Sequence, residues 1–406
     1  MTSAMGVEVD CPFSPGLLRK VAYAGSQSSS FVKSTKDLKS LAEVTVTAKR
    51  IERWTKRVGE ERTAEVEAEG FAYQELPLPE RRKSPVDQVP QLACVQMDGG
   101  RIQIRDRKSA PTEKQRKGFW RESLVGCCLS MVSEERAEDP CPVIPETFVD
   151  PKRMDELSRE IKGFSSDSEE PEEPREEMEG DRAGRPEVLV KSVVATRAGI
   201  EVLGQRLVAE AHSRGFSAAR RKAFVTDGAA SNWSVHRKHF SHYTPILDFT
   251  HAVCYVYAAA MAGRSFVEGW PVYRQWAQWL WEGNTKGMIV AVGARSEELG
   301  PPEEEDSETS PRKIVSRTLG YIKNQRSRMK YAEYRKLGLP ITSSYIESMI
   351  KQINRRVKGS EKFWHEGAEP LLQLTADHIS ETTTFDHFWA RRPSRLRATR
   401  RYQTAA

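Results

Sequence analysis

The chain has 406 residues, 38% of them hydrophobic and 30% charged. At roughly 150 residues per domain that length accommodates two or three domains, and no apolar run approaches the ~20 residues of a membrane helix. The formal net charge of +6 hides an asymmetry: residues 165–182 carry −7, and residues 312–401 carry +12. A basic C-terminal region of that size suits a polyanion such as nucleic acid, or else forms a solvated basic surface.

The first residues lack a basic start followed by an apolar stretch, so no secretory signal is expected. The six cysteines, Cys11, Cys94, Cys127, Cys128, Cys141 and Cys254, include no CxxC pair, which leaves a zinc ribbon or finger without support. Four of them lie inside apolar runs, as buried thiols of a reducing compartment do.

Residues 1–30, Gly/Ser-rich and aperiodic, read as a poorly ordered lead-in. Residues 31–60 read as two short helices with a tight connection. Thr47 caps the second, Ala48 to Val58, and Gly59 closes it. Leu38, Leu41 and Ala42 face Ile51, Trp54 and Val58 at helical spacing, a pattern common to helix-turn-helix units and plain packing hairpins. The second helix carries Lys49, Arg50, Arg53, Lys56 and Arg57, the composition of a helix laid against DNA phosphates. Residues 61–90 are charged and Pro-bearing and read as a linker.

Leu92 to Asp98 is an apolar strand ending on an acid. Gly99-Gly100 reads as a turn and Arg101 to Arg105 as the returning strand. Phe119-Trp120 opens a third strand region through Val132. Residues 165–186 cannot bury apolar area and are expected to be disordered. From Val188 to Ser213 the apolar spacing is helical. Lys222 to Thr226 is a short buried strand ending at Asp227-Gly228, and Trp233 to Phe240 reads as a helix. Thr244 to Leu247 is a further strand ending on Asp248, and Phe249 opens a long apolar helix. Residues 252–340 read as a mostly helical insertion. A helix from Pro340 to about Lys358 carries Glu347 behind a Thr/Ser cap, and residues 396–406 form a basic tail.

Asp98, Asp227 and Asp248 each follow an apolar strand, which places their carboxylates at the sheet's C-terminal rim, where side chains from neighbouring strands converge. Any one alone is an ordinary turn former. With Glu347 they form a set of hard oxygen donors that suits Mg2+. Two such ions about 3.5–4 Å apart support an in-line phosphoryl displacement. Lys351, Asn354 and Lys358 share the helix face of Glu347, with Arg355 at its edge, while Ile346, Met349, Ile350, Ile353 and Val357 form the opposite, apolar stripe. Cations beside a metal-binding Glu are well placed for scissile-strand phosphates.

The segments VQMDGGRIQIR, AFVTDGA, ILDFTHA and ITSSYIESMIKQINRRVKG resemble those of bacterial insertion-sequence DDE transposases, in the broad Mutator-like group, over residues from about 92 to 392. The resemblance implies an α/β fold: an RNase H-like mixed sheet flanked by helices over residues 91–395, with an all-helical insertion and an N-terminal helix-turn-helix. It implies Asp98, Asp227 and Glu347 as catalytic metal ligands for two Mg2+ (or Mn2+) ions, with Asp248 as the alternative second ligand. Asp248-Phe-Thr-His251 matches the family's [C/D]-x-x-H element. Asp248 and His251 are expected in support, and His251 reads equally as a satisfied helix-start histidine. Thr342-Ser343-Ser344 stands where the family often has Gly.

By the same resemblance the chain would cut DNA at element ends and join the 3′-OH to a target, working in the cytoplasm at the nucleoid as a dimer or larger assembly. A catalytically inactive or domesticated DNA-binding derivative is the alternative, and a resolvase-like nuclease the third reading. In the insertion, Trp276, Trp279 and Leu280 have core spacing, whereas Trp270 or Trp281 would suit base stacking. Lys362-Phe-Trp-His365 reads as a packing corner or a DNA contact.

Overall fold

The computed structural model describes residues 11–104, 119–162, 185–359, 362, 364 and 367–392. The first ten residues of the lead-in expected over 1–30, most of the acidic stretch 165–186, the basic tail, and Phe363 and His365 lie outside the described residues.

Five strands form one open mixed sheet: β1 (Leu92–Ile104), β2 (Phe119–Val132), β3 (Glu187–Thr196), β4 (Arg221–Thr226) and β5 (Thr244–Leu247), in the order β3-β2-β1-β4-β5. The β1–β2 and β2–β3 pairs are antiparallel, and β1–β4 and β4–β5 are parallel. Leu92 to Met97 are all buried, because helices cover both faces of this central strand. Among the described residues the stretch from Phe249 to Pro340 contains helices and no strand, as expected for the insertion. No helix there or elsewhere in the described residues is long and apolar enough to cross a membrane. The described cysteines form no disulfide.

Five local expectations are corrected. The Gly99-Gly100 pair is not a turn: β1 runs straight through it, with Gly99 opposite Leu124 and Gly100 opposite Ser123. The glycines answer a packing demand. A Cβ on Gly100 would meet Ser123 Oγ at 3.2 Å and Asn354 Oδ1 at 3.7 Å. Val188 to Ser213 is not one helix. Its first part is the edge strand β3, where Val190, Val193 and Val194 suit a pleated surface, and the helix starts only at Ile200.

The N-terminal region contains a helix where a disordered lead-in was expected: α1 (Pro15–Gln27), with Pro15 in its first turn and Leu18, Val21 and Ala22 buried. α2 (Phe31–Ala42) and α3 (Ala48–Glu75) follow, and α3 continues well past Gly59 into the expected linker. Gly59 is a close-approach residue and not a terminator, since a Cβ there would lie 2.4 Å from the Pro370 carbonyl oxygen. Thr47 makes no side-chain cap bond. Ile51, Trp54 and Val58 of α3 pack with α1, with Leu374 of the helix Ala368–Ile379, and with Phe385, Phe388 and Trp389. The N-terminal helices are therefore built into a second core shared with the C-terminal segment. α3 is pinned further by the buried Arg62–Asp377 pair (3.3 Å) and by Arg392 on Glu61 (2.6 Å).

Candidate carboxylate and metal site

The sheet register places the acids. Val225 of β4 pairs with Gln96 of β1, and Thr226 pairs with Leu247 of β5. Two residues beyond Gln96 comes Asp98; the residues just after Thr226 and Leu247 are Asp227 and Asp248. All three therefore stand level on adjacent parallel strands, at one rim. Asp98 was expected at a strand end and instead lies inside β1, but its level relative to its neighbours is the one anticipated.

Each acid is held differently. Asp98 Oδ1 accepts the Gly99 N–H at 2.6 Å. Asp227 Oδ1 takes Ala229 N–H (3.0 Å), the Asn232 amide (2.9 Å) and the Thr226 hydroxyl (3.2 Å). The loop after it is fixed by the Tyr321 hydroxyl on the Asp227 carbonyl (2.9 Å) and the Gln325 amide on the Gly228 carbonyl (3.0 Å). Gly228 sits at φ +98°, which a side chain would resist.

Asp248 is fully buried. Its Oδ1 accepts Ser343 N–H at 2.8 Å, and its Oδ2 takes both the His251 N–H (2.9 Å) and the His251 ring nitrogen Nδ1 (2.6 Å). It therefore caps the helix Phe249–Met261 and anchors the approach to the Glu347 helix, Ser344–Val357.

That second helix lacks the expected side-chain cap from Ser343. Its start is held from the sheet instead. Gln96, buried on β1, donates its amide to the Thr342 carbonyl (3.0 Å), and its Oε1 accepts the Ile346 N–H (3.3 Å). Ile346, Met349, Ile353 and Val357 are buried, and Lys351, Arg355 and Lys358 are exposed, so the two-faced reading of this helix holds. Gln96 escaped the sequence reading. Its signal was a lone polar residue inside the run Leu92 to Met97, which a buried strand tolerates only with partners. Gln96→Leu is expected to cost about 1–3 kcal/mol by leaving the Thr342 carbonyl unpaired, measured as a lower urea midpoint.

Burial and repulsion from Asp227 push the Asp98 carboxyl up to about 6. Burial, together with Asp248 and Asp98, pushes Glu347 up to about 7, against the pull of His251 and Lys351. Burial lowers the His251 ring, but the Asp248 hydrogen bond and the charges of Asp248, Asp227 and Glu347 outweigh it and hold the ring up to about 9. The site is thus a crowd of acids with one internal cation. Asp98 feels Asp227 and Asp248, Glu347 feels Asp248 and Asp98, and His251 feels Asp248, Asp227 and Glu347, so these charges lie in one neighbourhood.

The residues fit a divalent cation. The donors are hard oxygens, and Glu347 Oε1 is buried with no hydrogen-bond partner. Among the described residues, one trio offers metal-ligating atoms all within 4.8 Å of one another: Asp248, His251 and Glu347. Both oxygens of Asp248 are already engaged by Ser343 and His251. Asp227 is half-buried, uses Oδ1 alone in its bonds, and lies outside that trio.

The expected DNA-contacting residues of α3 stand apart from this site. Lys49, Arg50, Arg53 and Arg57 are exposed, with Arg53 and Arg57 over the Trp54 ring. Lys56 is half-buried and paired with Glu52 at 2.6 Å. Of the insertion tryptophans, Trp276 and Trp281 are buried. Trp281 donates to the Cys141 carbonyl (2.7 Å) and lies under the Arg335 guanidinium, so it is a core anchor. Trp270 is half-buried and stacks on Phe266. Trp364 is buried and donates to the Val357 carbonyl, which makes its segment a packing corner. No family model and no curated protein matches the chain.

Proposed function

We propose that the chain is a DNA transposase of the DDE type, with an RNase H-like catalytic domain, that cleaves the ends of an insertion element and joins them to target DNA. What supports the reading is that Asp98, Asp227 and Asp248 stand level on adjacent parallel strands of a sheet ordered β3-β2-β1-β4-β5, and that Glu347, from a segment far off in sequence, lies close enough to Asp98 and Asp248 to feel their charge. Asp98, Asp227 and Glu347 would hold two Mg2+ or Mn2+ ions. Bound there, such ions supply Lewis-acid stabilisation of a phosphoryl displacement.

The chain's own residues do the rest. Lys351, Arg355 and Lys358 face outward along the Glu347 helix, where they would take backbone phosphates. The Asp248–His251 pair fixes the start of that helix and places one positive charge among the acids. The exposed cations of α3, in the proposed helix-turn-helix, would grip element ends, with specificity left to base contacts. No protein nucleophile is required, since water and then a DNA 3′-OH attack phosphorus directly. Bringing two ends together calls for self-association as a dimer or larger assembly.

The test is a cleavage and strand-transfer assay with the full chain and DNA carrying the element's own ends. Nicking in Mg2+ that EDTA abolishes, followed by joining, supports the reading. Tight DNA binding with no cleavage in Mg2+ or Mn2+ would instead identify an inactive, DNA-binding derivative. Cleavage without joining would point to a resolvase-like nuclease.

A further inference from the structure

A groove of about 880 Å³ lies between α1 and α2 and plays no part in the chemistry above. Its floor is apolar, with the buried Ala24 and Leu38, and Leu41 and Ala42 also line it. Cations line it: Arg19, Lys20 and Lys33 from the two helices, and Arg355 from the Glu347 helix. Arg19 is bonded to Asp386, and the lining carboxylate, Asp37, is taken by the Ser28 hydroxyl at 2.6 Å. Among the described residues Lys20, Lys33 and Arg355 form no ion pair, so against one carboxylate, Asp37, the groove keeps an excess of positive charge. Tyr23 lies in its wall, 57% exposed, with its ring edge-on to His378.

An apolar floor, an exposed ring and unpaired cations make an unusual combination. An apolar peptide would leave the cations unused, and an acidic one would not use the ring and floor. A duplex keeps its bases stacked inside and offers only its phosphates. A single strand offers alternating phosphates and flat apolar bases, and so matches all three features. Arg355 also ties the groove to the carboxylate site, because eight residues of helix separate it from Glu347, a rise of about 12 Å.

We propose that this groove holds a single-stranded DNA segment, with phosphates on Lys20, Lys33 and Arg355 and a base against Tyr23. That the strand continues to the carboxylates along the Lys351–Arg355 face rests on the function proposed above. Binding in the groove does not.

The experiment is fluorescence anisotropy with the full chain and labelled oligo(dT), set beside a blunt duplex and poly-glutamate. Tyr23→Ala is expected to weaken oligo(dT) binding about tenfold and to leave duplex affinity unchanged, with Tyr23→Phe restoring it. Lys20→Gln with Lys33→Gln is expected to flatten the salt dependence, by about 0.7 in logarithmic slope per lost phosphate contact. Unchanged oligo(dT) affinity in both variants, with melting curves like the parent's, overturns the proposal. So does poly-glutamate that competes as well as oligo(dT) at equal charge, which would make the groove a site for an acidic protein. If the parent cuts no DNA while the Tyr23 and lysine effects persist, the groove assignment stands and the catalytic one falls. If cleavage is robust and these variants bind normally, the groove assignment alone is lost.

Discussion

Asp98→Asn and Glu347→Gln are each expected to lose metal-dependent DNA cleavage by about a thousandfold or more, some 4 kcal/mol of barrier, while the chain stays folded and binds DNA. The second half of that expectation comes from the charge arithmetic. Burial and mutual repulsion raise both carboxyls, to about 6 and about 7. An acid whose pKa is raised by folding favours the folded state while it is protonated. That contribution is fully present below the ordinary carboxyl range and is lost as the pH climbs through about 6 for Asp98 and about 7 for Glu347. At pH 8 without metal, each ionised carboxylate therefore strains the fold. Neutral amides remove the strain, so both variants should melt higher than the parent at pH 8 in EDTA, by on the order of 1–3 kcal/mol, and no higher at pH 4. Divalent cations should stabilise the parent at pH 8 and hardly at all at pH 5, with proton release on binding near neutrality. Calorimetry with Mn2+ across that range reads this directly. Parent-level nicking by either variant would remove these side chains from the chemistry. A lower melting temperature at pH 8 would show that the carboxylates serve the fold and not a ligand.

Asp98, Asp227 and Asp248 were legible in the sequence because each follows a short apolar run, and neighbouring parallel strands bring such positions level at one rim. Lys222 to Thr226 and Thr244 to Leu247 could be read as strands for that reason, as could the helix from Phe249. Three of the failures share one cause: glycine was taken as punctuation. Gly59 and Gly100 sit inside regular elements where another segment approaches: the Pro370 carbonyl excludes a Cβ at Gly59, Ser123 crowds one at Gly100, and that demand is tertiary. α1 was hidden the same way, by Gly16, Gly25 and the serines around it, although Gly25 is there because Thr55 packs against it. The edge strand β3 was lost because a Val-rich edge strand and the helix after it merge into one apolar run. The cap of the Glu347 helix was assigned to Thr/Ser from local sequence. It is supplied instead by Gln96 and Asp248, which are remote in sequence and identifiable only once the sheet is assembled.

The role of Asp248 follows from that assembly, and it leads to the opposite stability prediction. Asp248→Ala is expected to destabilise the chain by about 3–5 kcal/mol, the cost of stripping one partner from a buried charge pair. Three donors converge on this carboxylate: Ser343 N–H, His251 N–H and the His251 ring. Asp248→Asn should not rescue it, because an amide offers one acceptor oxygen and turns an NH2 group toward a donor on its other side. The loss should also depend on pH. His251 has its pKa raised to about 9, so its pairing with Asp248 contributes stability that is fully present below the ordinary histidine value and fades as the pH rises through about 9. Urea unfolding of parent and variant at pH 7 and pH 10 should therefore show a gap that narrows at the higher pH. A variant with the parent's midpoint at pH 7 would leave Asp248 free to act as a plain metal ligand, and the assignment of Asp227 beside Asp98 would have to be reversed.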